Sequence, residues 1–88
     1  SAHVEVIASD VELVHRARGR FADIATARSF AAAELTARWG SRLLVDGGCL
    51  LVSEPPRTDD ARWPVDLLER ERLVDDGLVD GVRVFRRR

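Results

Sequence analysis

Eighty-eight residues suffice for one small domain and no more. Hydrophobic residues make up 45% and charged residues 33%, a globular balance that argues against disorder. A formal net charge of −1 argues against attachment to nucleic acid by bulk charge but leaves room for a local basic patch, and no apolar run approaches the roughly 20 residues of a membrane span.

No charged-then-apolar leader opens the chain, so no signal peptide is expected. The single cysteine, Cys49, has no internal partner for a disulfide, and a reducing cytoplasm is the simplest compartment. All 14 basic residues are Arg, and Lys, Asn, Gln, Tyr and Met are absent. That is the pattern of a GC-rich coding sequence, as in a high-GC bacterium. The missing initiator Met suggests that Ser1 is not the native start, with Ser1-Ala2-His3 a scar or an internal cut.

Val4-Glu5-Val6-Ile7-Ala8 is β-branched and alternating, which predicts a strand. Ser9-Asp10-Val11-Glu12 has the capping-box form, so a helix over 10–17 follows, and Gly19 stops it. Residues 21–27, Phe-Ala-Asp-Ile-Ala-Thr-Ala, read as a second, more buried strand. A helix over 31–44 carries Leu35, Trp39 and Leu43 as its apolar stripe, is weakened at Gly40 by about 1 kcal/mol relative to Ala, and ends at Asp46-Gly47-Gly48. Cys49-Leu50-Leu51-Val52 is wholly apolar, as in a parallel strand covered on both faces. Ser53-Glu54-Pro55-Pro56 closes it, and 57–62 is a polar loop. Pro64 suits the first turn of a helix reaching about Leu73, with Asp66 near its positive end. Asp75-Asp76-Gly77 reads as a turn. Leu78-Val79, Asp80-Gly81 and Val82-Arg83-Val84-Phe85 form a hairpin signal. The order β-α-β-α-β-α-β-β predicts a three-layer α/β sheet: three parallel strands with helices plus a C-terminal antiparallel hairpin, in one domain spanning 1–88.

Thr26-Ala27-Arg28-Ser29-Phe30, then Leu35-x-x-x-Trp39-x-x-x-Leu43-Leu44-x-x-Gly47-Gly48-x-Leu50-Leu51, resembles the segment around the fourth and fifth strands of class I S-adenosylmethionine methyltransferases. The closest resemblance is to the glucose-inhibited division protein B family of small-subunit ribosomal RNA guanine-N7 methyltransferases. Ser53-Glu54-Pro55-Pro56 and Arg62-Trp63-Pro64 are similar to its high-GC relatives. The likeness covers nearly the whole chain but only the second half of the family's domain, so it implies the C-terminal half of a Rossmann-like methyltransferase sheet. In the family's sheet the strand order is 3-2-1-4-5-7-6. The resemblance aligns 4–8 with strand three, 21–27 with strand four, 49–52 with strand five and the hairpin with strands six and seven. Strands one and two, the G-x-G cofactor loop and the acidic residue that grips the ribose have no counterpart. Gly47-Gly48 is no substitute, because it enters a strand rather than a helix.

The resemblance implies that Val11 and Glu12 lie against the adenine and ribose side of S-adenosylmethionine in a complete domain. It implies that Arg28 lies near the methionine end and the target base, as both a cofactor-binding and a catalytic residue. Asp10 stands where the family usually has Arg. The family's basic tail corresponds to Arg86, Arg87 and Arg88, which would meet ribosomal RNA. Methyl transfer to guanine N7 needs no general base, because N7 carries an unprotonated lone pair and the work is alignment. The site would sit at the carboxyl ends of the strands, where Glu12, Arg28 and Ser53-Glu54 converge.

Each residue also has a structural reading. Glu12 completes a capping box with Ser9, Arg28 is a surface ion-pair partner, Glu54 is a loop charge, and Cys49 is core. His3 and His15 are isolated, which argues against a metal site. Trp39 reads as packing rather than a base-stacking platform. The Arg16, Arg18 and Arg20 run reads as a solvated helix end, against a phosphate contact; the Arg86–Arg88 run reads as a free basic end. Two function classes follow. One is a methyltransferase fragment, inactive or nearly so alone. The other is a non-enzymatic module that pairs with a separate N-terminal half or with itself as a homodimer, because strand 4–8 needs a partner: strand four, water or another chain.

Overall fold

The computed structural model describes residues 2–6, 11–28, 32–55 and 62–88. Within them the chain forms β1 (His3–Glu5), α1 (Val11–Arg18), β2 (Ala22–Arg28), α2 (Ala33–Leu43), β3 (Leu44–Ser53), α3 (Val65–Arg70), β4 (Leu73–Val79) and β5 (Val82–Arg87). The five strands make one mixed sheet in the order β1-β2-β3-β5-β4. β1, β2 and β3 are parallel, while β5 runs antiparallel to both β3 and β4. The α/β class, the parallel trio and the terminal hairpin are as the sequence pattern predicts. β1 finds its partner within the chain, with Val4 opposite Ala25 and the Val6 N–H donating to the Thr26 carbonyl at 2.7 Å.

Alternation assigns the two faces of the sheet. Ala25 and Ala27 on β2, Leu50 and Val52 on β3, and Phe85 on β5 share one face and are all buried. Ala37 of α2 and Trp63, Leu67 and Leu68 at α3 close over them in a single core cluster. α1 packs beside α2, and α2 beside α3, so the three helices form one layer. The opposite face carries Ile24, Thr26, Cys49, Leu51, Val82 and Val84, none of them buried. Among the described residues no helix covers that face. The expected three layers are therefore two. Three successive crossovers step across the sheet in one direction, and a right-handed rule applied three times puts every helix on the same side.

Several local expectations are corrected. Of the stripe Leu35, Trp39, Leu43 only Leu43 belongs to the packed face of α2: Leu35 is 42% exposed, Trp39 is half-buried, and the other buried positions are Thr36, Ala37, Gly40 and Ser41. Small residues win because they let the helix axis approach the sheet. A Cβ on Gly40 would stand 2.8 Å from both Leu50 methyl carbons. Asp46-Gly47-Gly48 does not end the helix. β3 starts directly at Leu44, and the register moves from Ala22–Leu44 to Ile24–Cys49, so the extra residues bulge out of the strand. Gly47 takes φ +83° there. Asp75-Asp76-Gly77 is likewise a bulge inside β4, with Gly77 at φ +107° and its N–H on the Asp75 carboxylate at 2.9 Å. The Asp80-Gly81 turn has both residues at positive φ (50° and 79°), the geometry a tight two-residue hairpin requires. α3 is shorter than predicted, stopping at Arg70, and β5 is longer, running to Arg87.

Candidate functional site at the carboxyl rim of the parallel strands

The carboxyl ends of β2 and β3 lie side by side, with Arg28 in register with Ser53. Glu54 follows, and its backbone N–H donates to the Gly81 carbonyl at 2.8 Å, bringing the hairpin turn to the same rim. The topology thus gathers Arg28, Ser53, Glu54 and the Asp80-Gly81 turn. Arg28 is exposed at the last position of β2, on the uncovered face of the sheet. Ser29 and Phe30, which complete the family-like motif, lie outside the described residues, as do Ile7 to Asp10 and Pro56 to Ala61.

Glu54 is the best-anchored group of this rim. Its side chain is 0% exposed. One carboxylate oxygen accepts from Arg62 Nη1 at 2.7 Å; the other accepts from the Trp63 indole Nε1–H at 2.7 Å and faces Arg83 Nε at 3.3 Å. Arg83, itself buried on β5, also donates to Asp75 Oδ2 at 2.9 Å. A carboxylate taken out of water needs this many donors to offset its lost hydration. Glu54 is therefore a buried tie between β3, the α3 approach and the hairpin, and not the loop charge that the sequence suggested. Trp63 owes its burial to the same tie and lies 4.8 Å from Phe85 between ring centroids.

A groove of 340 Å³ opens between the amino ends of α2 and α3, lined by Ala33, Glu34, Arg62, Pro64, Asp66 and Leu67 with Arg70. Its volume is at the small end of ligand sites. Its charges are mixed, and Arg70 lies 3.6 Å from Glu34 across it.

Val11 is 2% exposed, so its side chain offers no surface to a ligand in this arrangement. Glu12 is exposed and pairs with Arg16 at 3.0 Å one turn on; its proposed cap, Ser9, lies outside the described residues. Cys49 is half-buried on the uncovered face, beside Ile24 in register. His3 Nε2 lies 3.1 Å from Thr26 Oγ1, and the His15 ring meets Trp39 at 5.8 Å. Among the described residues no cluster of three His, Cys, Asp or Glu side chains stands ready to hold a metal ion.

The two arginine runs are not loose ends. Arg86 and Arg87 are strand residues. Arg86 faces Asp76 at 3.3 Å, whereas Arg87 is 8% exposed and donates to Ser41 Oγ at 2.7 Å. Arg88 is exposed, but its N–H donates to the Arg72 carbonyl at 2.9 Å. Arg20 Nη1 donates to the Ser41 and Leu44 carbonyls, both at 2.7 Å, and so caps α2. Arg18 lies over the Phe21 ring at 3.9 Å. No helix among the described residues is long and apolar enough to cross a membrane. Compared with models of protein families, and with curated proteins, the chain matches none.

Proposed function

We propose that this chain is the carboxyl-terminal part of a class I S-adenosylmethionine-dependent methyltransferase domain, resembling the ribosomal RNA guanine-N7 enzymes, and that it is inactive or nearly so alone. One observation carries the reading. The sheet runs β2-β3-β5-β4, with the last strand inserted antiparallel between the third and fourth. That is the 4-5-7-6 order of the family to which the Thr26–Phe30 and Leu43–Leu51 motifs are similar. Arg28 then stands at the reacting end, where a fixed positive charge helps to align the acceptor and to stabilise the transition state.

The residues present do not make a cradle for the cofactor. The six glycines include no G-x-G pair, Val11 is buried, and Glu12 is engaged with Arg16. The chain alone is accordingly expected to leave S-adenosylmethionine unbound, and no chemical step is assigned to it. Calorimetric titration of the chain with S-adenosylmethionine tests this: tight binding would sink the inactivity claim. In a complete, active domain, Arg28→Ala should lower turnover about tenfold or more. An unchanged rate returns Arg28 to the class of surface ion-pair partners.

A second reading, a non-enzymatic pairing module, is favoured by the uncovered sheet face, where Ile24 is 37% exposed and Cys49, Leu51 and Val84 are half-buried. Its partner is a separate amino-terminal half or a second copy, and a homodimer is the form expected of this chain by itself. Sedimentation at micromolar concentration decides between them: a cooperative monomer with a protected β1 removes the homodimer.

A further inference from the structure

We propose that the end of the molecule formed by the carboxyl ends of the three helices is a docking surface for the phosphate backbone of a nucleic acid. This surface is at the opposite end from Arg28 and does not depend on methyl transfer.

Each helix links parallel strands: β1 to β2, β2 to β3, and β3 to β4, the last two both antiparallel to β5. Each helix therefore runs back against the strands, and all three carboxyl ends meet at one end. The last turns of α1 and α2 supply His15, Arg16 and Arg18, and Arg42, to this end; Arg70 of α3 turns back to Glu34 and takes no part. The fold adds more. The Arg20 side chain donates to the Ser41 carbonyl and the Arg87 side chain to the Ser41 hydroxyl, so the two arginine runs at opposite ends of the sequence converge around the end of α2; the Arg88 backbone N–H donates to the Arg72 carbonyl beside them. The pKa of Arg20 is lowered, by burial first and then by the guanidinium of Arg87, against the raising effect of Asp46, with Arg72 adding a smaller lowering. The acids at this end are fewer: Asp23, whose carboxylate holds the Ala2 N–H at 2.9 Å, Asp46, 3.5 Å from Arg87 Nε, Asp76, 3.3 Å from Arg86 Nε, Glu69 in the last turn of α3 and Glu71 just after it.

The chemistry of the surface selects the partner. Arg18 and Arg42 lie over the rings of Phe21 and Trp39, at 3.9 and 5.4 Å from the centroids. Stacking fixes the guanidinium plane and leaves its N–H edge for an oxyanion, the fork geometry that matches phosphate. The charges are spread over two helices and β5, which suits a row of phosphates better than one small anion. The exposed apolar side chains Leu13, Ile24, Leu35, Val65, Leu78 and Val79 all lie elsewhere, so the surface has nothing to insert into a lipid layer.

The test is fluorescence anisotropy of the intact chain with a labelled RNA duplex of about 16 base pairs, the length that a shape-reading domain spans. The expected result is binding at low salt whose log–log salt slope is about −3 to −4, for the four exposed guanidiniums of Arg18, Arg42, Arg72 and Arg88. The triple variant Arg18→Gln, Arg42→Gln, Arg88→Gln should bind at least about tenfold more weakly and lose most of that slope. Arg38→Gln, halfway along α2 and paired with Glu34, should bind as the unaltered chain does. Phenylglyoxal modification of the unaltered chain, read by mass spectrometry, covers the case of a variant that fails to fold: RNA should protect Arg18, Arg42, Arg72 and Arg88 and leave Arg28 reactive. No binding at low salt, a triple variant that folds and binds normally, or protection confined to Arg28 overturns the proposal. Equal affinity for poly-glutamate overturns it in favour of an acidic protein partner.

Discussion

Replacing Glu54 by Gln tests how the hairpin is held to the parallel strands. The change keeps the size of the side chain and one oxygen for the Trp63 indole. It removes the charge that faces Arg62 at 2.7 Å and Arg83 at 3.3 Å. Arg83 is 5% exposed at its side chain, so water cannot replace the lost partner. Breaking a buried pair from one side costs about 3–5 kcal/mol. Two features reduce that here. Arg83 keeps Asp75 at 2.9 Å, and Arg62 is 25% exposed. The expected loss is about 2–3 kcal/mol, a large share of the stability of a domain this small. It corresponds to a melting midpoint lower by roughly 10–20 °C. Urea unfolding followed by circular dichroism and tryptophan fluorescence measures it, and Trp63 reports directly on the site. A loss below about 0.5 kcal/mol, the scale of an exposed pair, would refute the buried-tie reasoning.

Three further substitutions probe the packing. The Thr36 hydroxyl is buried and has no hydrogen-bond partner among the described residues, so Thr36→Val should raise stability by about 1 kcal/mol in the same urea experiment. Gly40→Ala sets helix propensity, a gain of about 1 kcal/mol, against a Cβ only 2.8 Å from the Leu50 methyl carbons. Leu50 is fully buried and has no room to swing away, so a net loss of about 1–2 kcal/mol is expected; a more stable variant would show that α2 does not press on β3. Gly81→Ala, at φ +79° with open space around its Cβ, should cost about 1 kcal/mol through backbone strain alone and leave the slope of the urea transition unchanged.

The strands were legible where residue type and punctuation agreed. Val4 on β1, the apolar run through Leu50 and Val52 on β3, and Val82 to Phe85 on β5 announce themselves in this way. The misreadings share one cause. Asp-Gly-Gly at 46–48 and Asp-Asp-Gly at 75–77 have the composition of turns, and composition does not distinguish a turn that ends an element from a bulge that lets a strand continue. Sheet pairing decides it, and pairing is a long-range property. α2 misled in a related way. Its large side chains mark one face, but the packed face is the one whose small residues permit close approach. Glu54 shows the same limit at the site. A charge in a proline-rich loop reads as solvated until three donors, from residues 8, 9 and 29 positions away, are seen to converge on it. The sequence pattern places Arg28 just after its strand; the strand in fact runs one residue further and ends on it, and the register with Ser53 follows from the parallel pairing.

The net charge of −1 gave the least information about electrostatics, and the reason is geometric. An acidic first turn and a basic last turn are a local rule, each stabilising its own helix against its dipole. In a bundle of antiparallel helices such ends alternate and the rule leaves no global trace. Here every helix bridges two parallel strands, so the three dipoles align and the basic ends of α1 and α2 add. Glu12, Glu34 and Asp66 gather at one end with Arg28 and the groove, where Arg70 reaches back to Glu34, and Arg18 and Arg42 stand at the other. The chain is thus nearly neutral in sum and strongly polar in space. A molecule so polarised meets a charged partner end-on, because the field turns it before contact is made. The orientation is set by the order of strands, which no count of residues contains.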